Sequence, residues 1–114
     1  MKIAITAQGK TLQDKVDARF GRCPFFVIYD TKTQEIQTVN NQDVENEAHG
    51  AGPRTVQRLS EYECNAIITG NGPGGNASTL LSKMKIDVFT GAGDMIIENA
   101  IEAFKNNKLE KFNF

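Results

Sequence analysis

The sequence lacks an excess of charge of either sign and lacks a long apolar run. Its 13 lysines and arginines nearly balance its 14 aspartates and glutamates, so no net field would hold the whole surface on nucleic acid or an anionic membrane. No apolar stretch approaches the roughly 18 residues that span a bilayer. The opening Met-Lys-Ile-Ala-Ile-Thr is typical of a strand rather than a signal peptide. We therefore expect a cytoplasmic protein with no nucleic-acid partner and no membrane partner.

Cysteine pairs and catalytic motifs are also missing. The two cysteines, Cys23 and Cys64, are far apart and form no Cys-x-x-Cys pair, which argues against a disulfide framework and against a metal site made only of thiolates. Strand-forming residues flank Cys64 and predict a buried thiol. The sequence contains no nucleophile elbow, no His-Glu-x-x-His and no convincing carboxylate pair on adjacent predicted strands. We predict that the protein is not an enzyme.

The length of 114 residues predicts one domain over residues 1–114, because the chain is too short for two cores. Short β-favouring runs predict the first three strands at residues 2–6, 25–29 and 35–39. The turn Asp-Thr-Lys between the last two makes them an antiparallel hairpin. The polar residues 40–52 predict a loop, and a helix follows over residues 53–63.

The next unit is written twice, as a strand ending in Thr-Gly, a turn and a helix. Its strands are predicted at residues 66–70 and 86–91. Each helix carries apolar residues at positions i, i+3, i+4 and i+7, the spacing of one buried face. These residues are Ala77, Leu80, Leu81 and Met84 in the first helix, and Ile97, Ala100, Ile101 and Phe104 in the second.

Together these elements predict an α/β fold with a mixed sheet, in which an antiparallel hairpin adjoins parallel strands and helices pack on the faces. Residues 108–114 are predicted to be a final edge strand or a docked tail. Ligands of such sheets sit outside the carboxyl ends of the parallel strands. Three strands end in threonine and a small residue, which predicts three loops on one rim: Thr6-Ala7, Thr69-Gly70 and Thr90-Gly91.

A glycine-rich turn at residues 69–76, Thr-Gly-Asn-Gly-Pro-Gly-Gly-Asn, is the first candidate site. Glycines let the backbone approach a ligand, and amides at the start of the following helix favour an anion. The spacing fits neither a P-loop nor a dinucleotide-binding fingerprint. Two interpretations stay open, a tight structural turn and an anion cradle.

The second candidate is residues 17–24, Asp-Ala-Arg-Phe-Gly-Arg-Cys-Pro. Arg19, Arg22 and Cys23 form a local positive patch that can lower the pKa of the thiol and hold an anionic group. The alternative is a solvated loop whose arginines pair with neighbouring carboxylates.

The third candidate is His49, the only histidine. An imidazole in a loop can ligate a metal, and Asp43, Glu45 and Glu47 can add oxygen ligands. Alternating carboxylates are also typical of a stretch that faces water.

The order and spacing of these motifs resemble one family almost end to end. The chain carries Val-Asp-x-Arg-Phe-Gly-Arg-Cys at residues 16–23, Gly-Ala-Gly at 50–52, Ile-Thr-Gly-Asn-Gly-Pro-Gly-Gly-Asn-Ala at 68–77, Val-Phe-Thr-Gly-Ala at 88–92 and Ala-Ile-Glu-Ala-Phe-Lys at 100–105. This pattern is similar to the dinitrogenase iron-molybdenum cofactor biosynthesis family, which includes NifX-like carriers, the carboxyl-terminal domain of NifB-like proteins and small proteins that hold a molybdenum-copper-sulfur cluster.

The resemblance implies a ribonuclease H-like three-layer fold and a carrier or storage role for an anionic metal-sulfur cluster of the iron-molybdenum cofactor type. It implies partners that synthesise or receive the cofactor, with Cys23 and His49 as candidate metal ligands. The cofactor-binding residues carried over are Arg19, Phe20, Gly21, Arg22, Cys23, His49, Gly50, Gly52, Thr69, Gly70, Asn71, Gly72, Gly74, Gly75 and Asn76.

Departures from the family pattern narrow this expectation. The chain lacks the cysteine-rich motif of the radical enzymes in this pathway, so we expect no synthetic chemistry, and we expect no nuclease activity because the necessary carboxylates are not recognisable at strand positions. Two alternatives differ in class: a protein-interaction or regulatory module without a cofactor, and a binder of a small phosphate-containing metabolite. An exposed strand edge is compatible with a monomer or a weak homodimer.

Overall fold

The computed structural model describes residues 1–45 and 50–114, and apart from one additional short helix its strands and helices follow the predicted order. The strands are β1 (Lys2–Ala7), β2 (Phe25–Asp30), β3 (Ile36–Asn40), β4 (Ala66–Ile68), β5 (Asp87–Thr90) and β6 (Glu110–Lys111). The helices are α1 (Gln42–Glu45), α2 (Ala51–Ser60), α3 (Gly75–Lys83) and α4 (Ile97–Lys105). Among the residues described, no helix is both long and apolar enough to cross a bilayer.

The strands form one mixed sheet in the order β3-β2-β1-β4-β5-β6. β1, β4 and β5 run parallel to one another, whereas β2 and β3 form the antiparallel hairpin on one side. Of the two alternatives for residues 108–114, the edge strand is present, because β6 pairs antiparallel with β5. The predicted α/β fold with a mixed sheet is therefore confirmed.

Helices cover both faces of this sheet. Successive side chains of a strand point to opposite faces, and β1 shows the result: Ile3 and Ile5 pack in the core beneath α4, while Ala4 packs in the core beneath α2 and α3. All of these side chains are buried. Because both faces are covered, ligand access is concentrated at the strand ends and their loops.

The loop predicted over residues 40–52 is wrong in two places. Residues 42–45 form the short helix α1, whose Val44 is fully buried, and the Asn40 side chain accepts a hydrogen bond from the Gln42 backbone N–H at 2.8 Å. Helix α2 starts at Ala51, two residues before the predicted Pro53. Burial of Val44 accounts for α1. The sequence did not predict this helix, because a single apolar residue in a polar stretch forms no repeating hydrophobic pattern.

Candidate functional site

One cleft collects most of the segments that the sequence singled out. Its volume is about 430 Å³, and its walls are residues 19–22, residues 50–53 and the turn into α3, comprising Gly72 and residues 74–77. That turn leaves the carboxyl end of β4, the edge at which ligands of α/β sheets bind. Of the predicted site residues, the lining includes Arg19, Phe20, Gly21, Arg22, Gly50, Gly52, Gly72, Gly74, Gly75 and Asn76.

Asp17 holds the first residue of the cleft wall formed by residues 19–22, the arginine wall. Its carboxylate accepts hydrogen bonds from the backbone N–H of Arg19 at 2.7 Å and from Nε and Nη2 of the Arg19 side chain at 3.1 Å each. The Asp17 side chain is only 6% exposed, whereas the Arg19 side chain is 50% exposed. The hydroxyl of Thr6 donates to the Asp17 carbonyl at 2.7 Å. The end of β1 therefore holds Asp17, and Asp17 in turn orients Arg19.

The arginine wall touches the start of α2 directly. A Cβ atom at Gly21 would lie 3.0 Å from the Cα atom and the backbone N of Gly52, closer than ordinary van der Waals contact. Gly50, which precedes α2, has φ of 77°, a left-handed conformation that glycine adopts without strain. Glycine at these positions therefore has a structural reason, since it lets two walls of the cleft meet.

Two helices begin at the cleft with their first turns open. Neither α2 nor α3 has a side-chain cap hydrogen bond, and neither has an acidic residue in its first turn. The first amides of a helix have no partner within the helix, and its amino terminus carries roughly half a positive charge. Two such ends in one cleft favour a negatively charged ligand.

Gly74 and Gly75 differ from the other glycines of the turn. Gly74 has φ of −69° and ψ of 171°, a conformation that any residue adopts. A Cβ atom at either Gly74 or Gly75 would have no neighbouring atom within 4 Å. By contrast, a Cβ atom at Gly72 would collide with the Phe112 ring. Packing therefore explains Gly72 but leaves Gly74 and Gly75 as open positions on the cleft.

Two arginines stand among the described residues that line the cleft. Arg19 and Arg22 are the ionisable side chains there, and the Arg19 guanidinium pairs with the Asp17 carboxylate behind it. Guanidinium groups and backbone N–H groups donate hydrogen bonds and accept none, so this lining can hold an anion.

Three predicted site residues support the cleft from beneath instead of lining it. Thr69 is fully buried, and its hydroxyl is hydrogen-bonded to the Thr6 hydroxyl at 3.0 Å. Asn71 donates its backbone N–H to the carbonyl of Ala18 at 2.8 Å. A Cβ atom at Gly70 would lie 2.6 Å from the Ala18 Cα atom. These contacts join the ends of β1 and β4 and so set the distance between two walls.

Cys23 lies behind the cleft. Its side chain is fully buried and its thiol lies 3.5 Å from the Phe20 carbonyl, to which it donates. Burial, aided by the negative charge of Asp17, raises the pKa of the Cys23 thiol far above its ordinary value. The expected lowering of that pKa is wrong, because loss of hydration outweighs the attraction of Arg19.

The metal-ligand expectations receive no support from the described part of the chain. Residues 1–45 and 50–114 contain no group of three histidine, cysteine, aspartate or glutamate residues that could hold a metal ion. His49 and Glu47 lie outside the described residues. Cys64 is buried as predicted, and burial raises the pKa of its thiol to about 11.

Sequence reasoning missed two buried polar residues behind the arginine wall. Asn41 and Thr55 are fully buried, and each donates to a carbonyl of the loop between Gly21 and Pro24. Neither residue stands in a recognisable motif. Their partners are 18 and 34 positions away along the chain, so no local pattern could have identified them.

Known proteins share both the sequence pattern and the fold of this chain. A sequence model of the family described as dinitrogenase iron-molybdenum cofactor matches residues 1–107. The apo form of the orange protein from Desulfovibrio gigas is 30% identical with a TM-score of 0.92, and the match covers 97% of this chain and 92% of that chain. A candidate NifB protein from Thermotoga, solved by NMR, is 34% identical with a TM-score of 0.84, covering 99% and 97% of the two chains. No curated protein matches the sequence.

Proposed function

The chain belongs to the dinitrogenase iron-molybdenum cofactor family, and from that premise we propose that its cleft binds an anionic metal-sulfur group as cargo. The proposed role is carriage or storage of a cofactor of the iron-molybdenum type, or of its precursor, in the cytoplasm. The proposed role involves no catalysis. Proteins that make or receive the cofactor are the proposed partners, and the six-stranded sheet is proposed to be a ribonuclease H-like fold.

One observation carries the proposal: the uncapped starts of α2 and α3 meet Arg19 and Arg22 in a single cleft. Each charge-assisted hydrogen bond to a ligand contributes roughly 1.5–3 kcal/mol, so a few of them suffice for micromolar affinity. Sulfido and oxo ligands of a cluster are acceptors, which matches a lining of donors. The open positions at Gly74 and Gly75 let such a ligand approach the backbone.

This arrangement assigns different tasks to the two proposed metal ligands. Cys23 serves packing, because burial keeps its thiol protonated, and a protonated thiol is a poor metal ligand. His49 remains a proposed ligand, on the ground of its imidazole and of the family resemblance. The main attraction in the proposal comes from guanidinium groups and helix amides.

Anaerobic reconstitution tests the proposal. The purified protein is titrated with tetrathiomolybdate, alone and with copper(I) or iron(II), while its visible charge-transfer absorption and melting temperature are followed. We expect a retained chromophore and a raised melting temperature. A wild-type protein that stays colourless and unshifted with every mixture would refute the proposal.

Two variants and a control sharpen this titration. Gly74→Ala with Gly75→Ala fills the open positions, and Arg22→Ala removes one guanidinium group; each should weaken retention about tenfold or more. Lys83→Ala is the matched control, because it removes one positive charge at the opposite end of α3. Equal loss in the control would point to net charge instead of the cleft.

The same geometry favours a second candidate ligand, a small phosphate-containing metabolite. Helix amino termini and arginines bind phosphate for the reason given for a cluster, namely a concentration of donors. Thermal shifts with nucleotides and sugar phosphates, measured beside tetrathiomolybdate, separate the two. A shift with a phosphate compound alone would replace the first proposal with the second.

A further inference from the structure

The loop from Gly21 to Pro24 is held from behind by its carbonyl groups. The hydroxyl of Thr55 donates to the Gly21 carbonyl at 3.1 Å. Asn41 donates twice, from its side-chain amide to the Cys23 carbonyl at 3.0 Å and from its backbone N–H to the Pro24 carbonyl at 2.8 Å. Three carbonyls of one short loop therefore face away from the cleft.

The side chains of Asn41 and Thr55 are buried, and their polar atoms are hydrogen-bonded. The Asn41 side-chain amide also donates to the Thr55 hydroxyl at 3.2 Å, and its oxygen accepts from Arg58 at 2.7 Å. Arg58 is itself held by two hydrogen bonds of 2.7 Å to the carboxylate of Asp43. Neither Asn41 nor Thr55 lines the cleft.

Peptide geometry converts this anchoring into an orientation. In a trans peptide the carbonyl oxygen of one residue and the N–H of the next point in opposite directions. Because the Gly21 carbonyl points to Thr55, the N–H of Arg22 points away from Thr55, and Gly21 and Arg22 both line the cleft. The contact behind the loop thus decides which way a donor in the cleft wall faces.

Polar side chains are needed here because main-chain carbonyl groups require hydrogen-bond donors. Replacing both partners of a buried hydrogen bond by apolar groups is often nearly neutral for stability, whereas leaving one partner unpaired is costly. The carbonyl of Gly21 cannot be replaced, so a hydroxyl at position 55 is required to face it. The same argument applies to Asn41 and the Cys23 carbonyl.

We propose that Thr55 and Asn41 are positioning residues that turn the Gly21–Arg22 peptide so that its N–H faces an anionic ligand. This inference rests on the proposed function. It assigns ligand affinity to two side chains that do not touch the ligand, and it predicts that their effect depends on a single hydrogen-bond donor in each side chain.

Thr55→Val and Thr55→Ser form the decisive pair. Valine keeps the shape of threonine but lacks the hydroxyl, whereas serine keeps the hydroxyl. With tetrathiomolybdate as the anaerobic probe, we expect Thr55→Val to weaken binding about tenfold, as for the loss of one well-aligned hydrogen bond. Thr55→Ser should bind within about threefold of the wild type, because its hydroxyl can still face the Gly21 carbonyl.

Two further measurements separate positioning from stability. Ile101→Val removes a methyl group from a buried side chain of α4, so it should lower the melting temperature and leave affinity unchanged. Amide hydrogen exchange and the NMR shift of the Arg22 N–H, recorded without ligand, should change in Thr55→Val and stay near the wild type in Thr55→Ser. If Thr55→Val does not fold, Asn41→Asp takes its place, because it keeps the acceptor for Arg58 and loses the donor to Cys23.

The outcomes distinguish this inference from the function on which it rests. A wild-type protein that binds no tetrathiomolybdate overturns both. Wild-type binding together with unchanged affinity in Thr55→Val or Asn41→Asp overturns the positioning role alone. An affinity loss that Ile101→Val reproduces at equal loss of melting temperature also overturns it.

Discussion

The chain builds the same unit twice, and within the described residues the two helix starts differ in how their first amides are used. In the second copy, β5 leads to α4, whose first amides are already used: the N–H of Ile97 donates to the Asp14 carbonyl at 2.9 Å and that of Glu98 to the Leu12 carbonyl at 3.0 Å. In the first copy, β4 leads to α3, which has no side-chain cap and begins in the cleft.

The difference between these helix starts comes from a distant segment. The N–H of Val16 donates to the Met95 carbonyl at 2.8 Å, and Lys15 forms a bridge with Ile96, so residues 12–16 cover the start of α4. An amide that is already paired has little to offer a ligand. A turn followed by a helix therefore predicts an anion site only where no other segment satisfies the first amides.

The strongest destabilisation should come from a substitution at Gly70, which ends the first of the two repeated strands as predicted. Gly70→Ala would place a methyl group 2.6 Å from the Ala18 Cα atom, and since backbone must move, we expect a loss of about 3 kcal/mol in the free energy of unfolding. Urea denaturation measures it. A loss below that of Gly91→Ala would contradict the claim that the first copy is the more tightly packed at this position.

A smaller effect should follow from closing the open helix start. Gly74→Asp supplies a side-chain cap at a position whose backbone suits one, and it places a negative charge at the cleft. We expect unchanged or slightly higher stability and about a thirtyfold loss of tetrathiomolybdate affinity, roughly 2 kcal/mol. Gly74→Ser, which caps without charge, is the control and should lose less affinity.

Gly91→Ala should cost less than Gly70→Ala. Gly91 has φ of 90° and no atom within 4 Å of a built Cβ, so the methyl group has room but the backbone is strained. We expect about 1–2 kcal/mol of destabilisation, measured by the same denaturation. Ligand affinity should not change, because Gly91 does not line the cleft. A change in affinity would show that the second copy also contributes to the site.

The smallest effect concerns pH and the segment that covers α4. The carboxylate of Asp14 accepts hydrogen bonds from the N–H and hydroxyl of Thr11, and the backbone bond is the main reason that its pKa lies below the usual 3.8. Its contribution to stability is present above the unfolded pKa, about 3.9, and is lost as pH falls through the lower folded pKa.

Asp14→Asn tests this dependence. The melting temperature should fall less between pH 5 and pH 3 in the variant than in the wild type, because one carboxylate no longer takes up a proton on unfolding. Asp30 and Asp43, whose pKa values are lowered by the Lys32 backbone N–H and by Arg58, keep part of the effect. An identical fall in both proteins would show that Thr11 gives Asp14 no stabilisation.

Much of the fold was predictable, because the spacing of apolar residues in its strands and helices repeats within short segments. The spacing of Ile97, Ala100, Ile101 and Phe104 predicted the buried face of α4; the first three are buried and Phe104 is partly buried. Met84, predicted for the buried face of α3, is exposed, because α3 ends at Lys83. The site was less predictable. Arg19 and Arg22 stood in a visible motif, but the burial of Cys23 depends on packing between β2 and α2 partners such as Phe26 and Leu59, which no neighbouring residue reveals.

Local sequence was enough to predict all the strands and the three longer helices, most of their buried faces and the glycine-rich turns, because hydrophobic period and backbone freedom act over a few residues. Tertiary packing sets which helix starts keep unpaired amides, which glycines face the cleft and which way the loop after Phe20 turns its amides. Those outcomes depend on hydrogen bonds between distant segments, from Leu12 to Glu98 and from Gly21 to Thr55, and such partners meet only when the chain has folded.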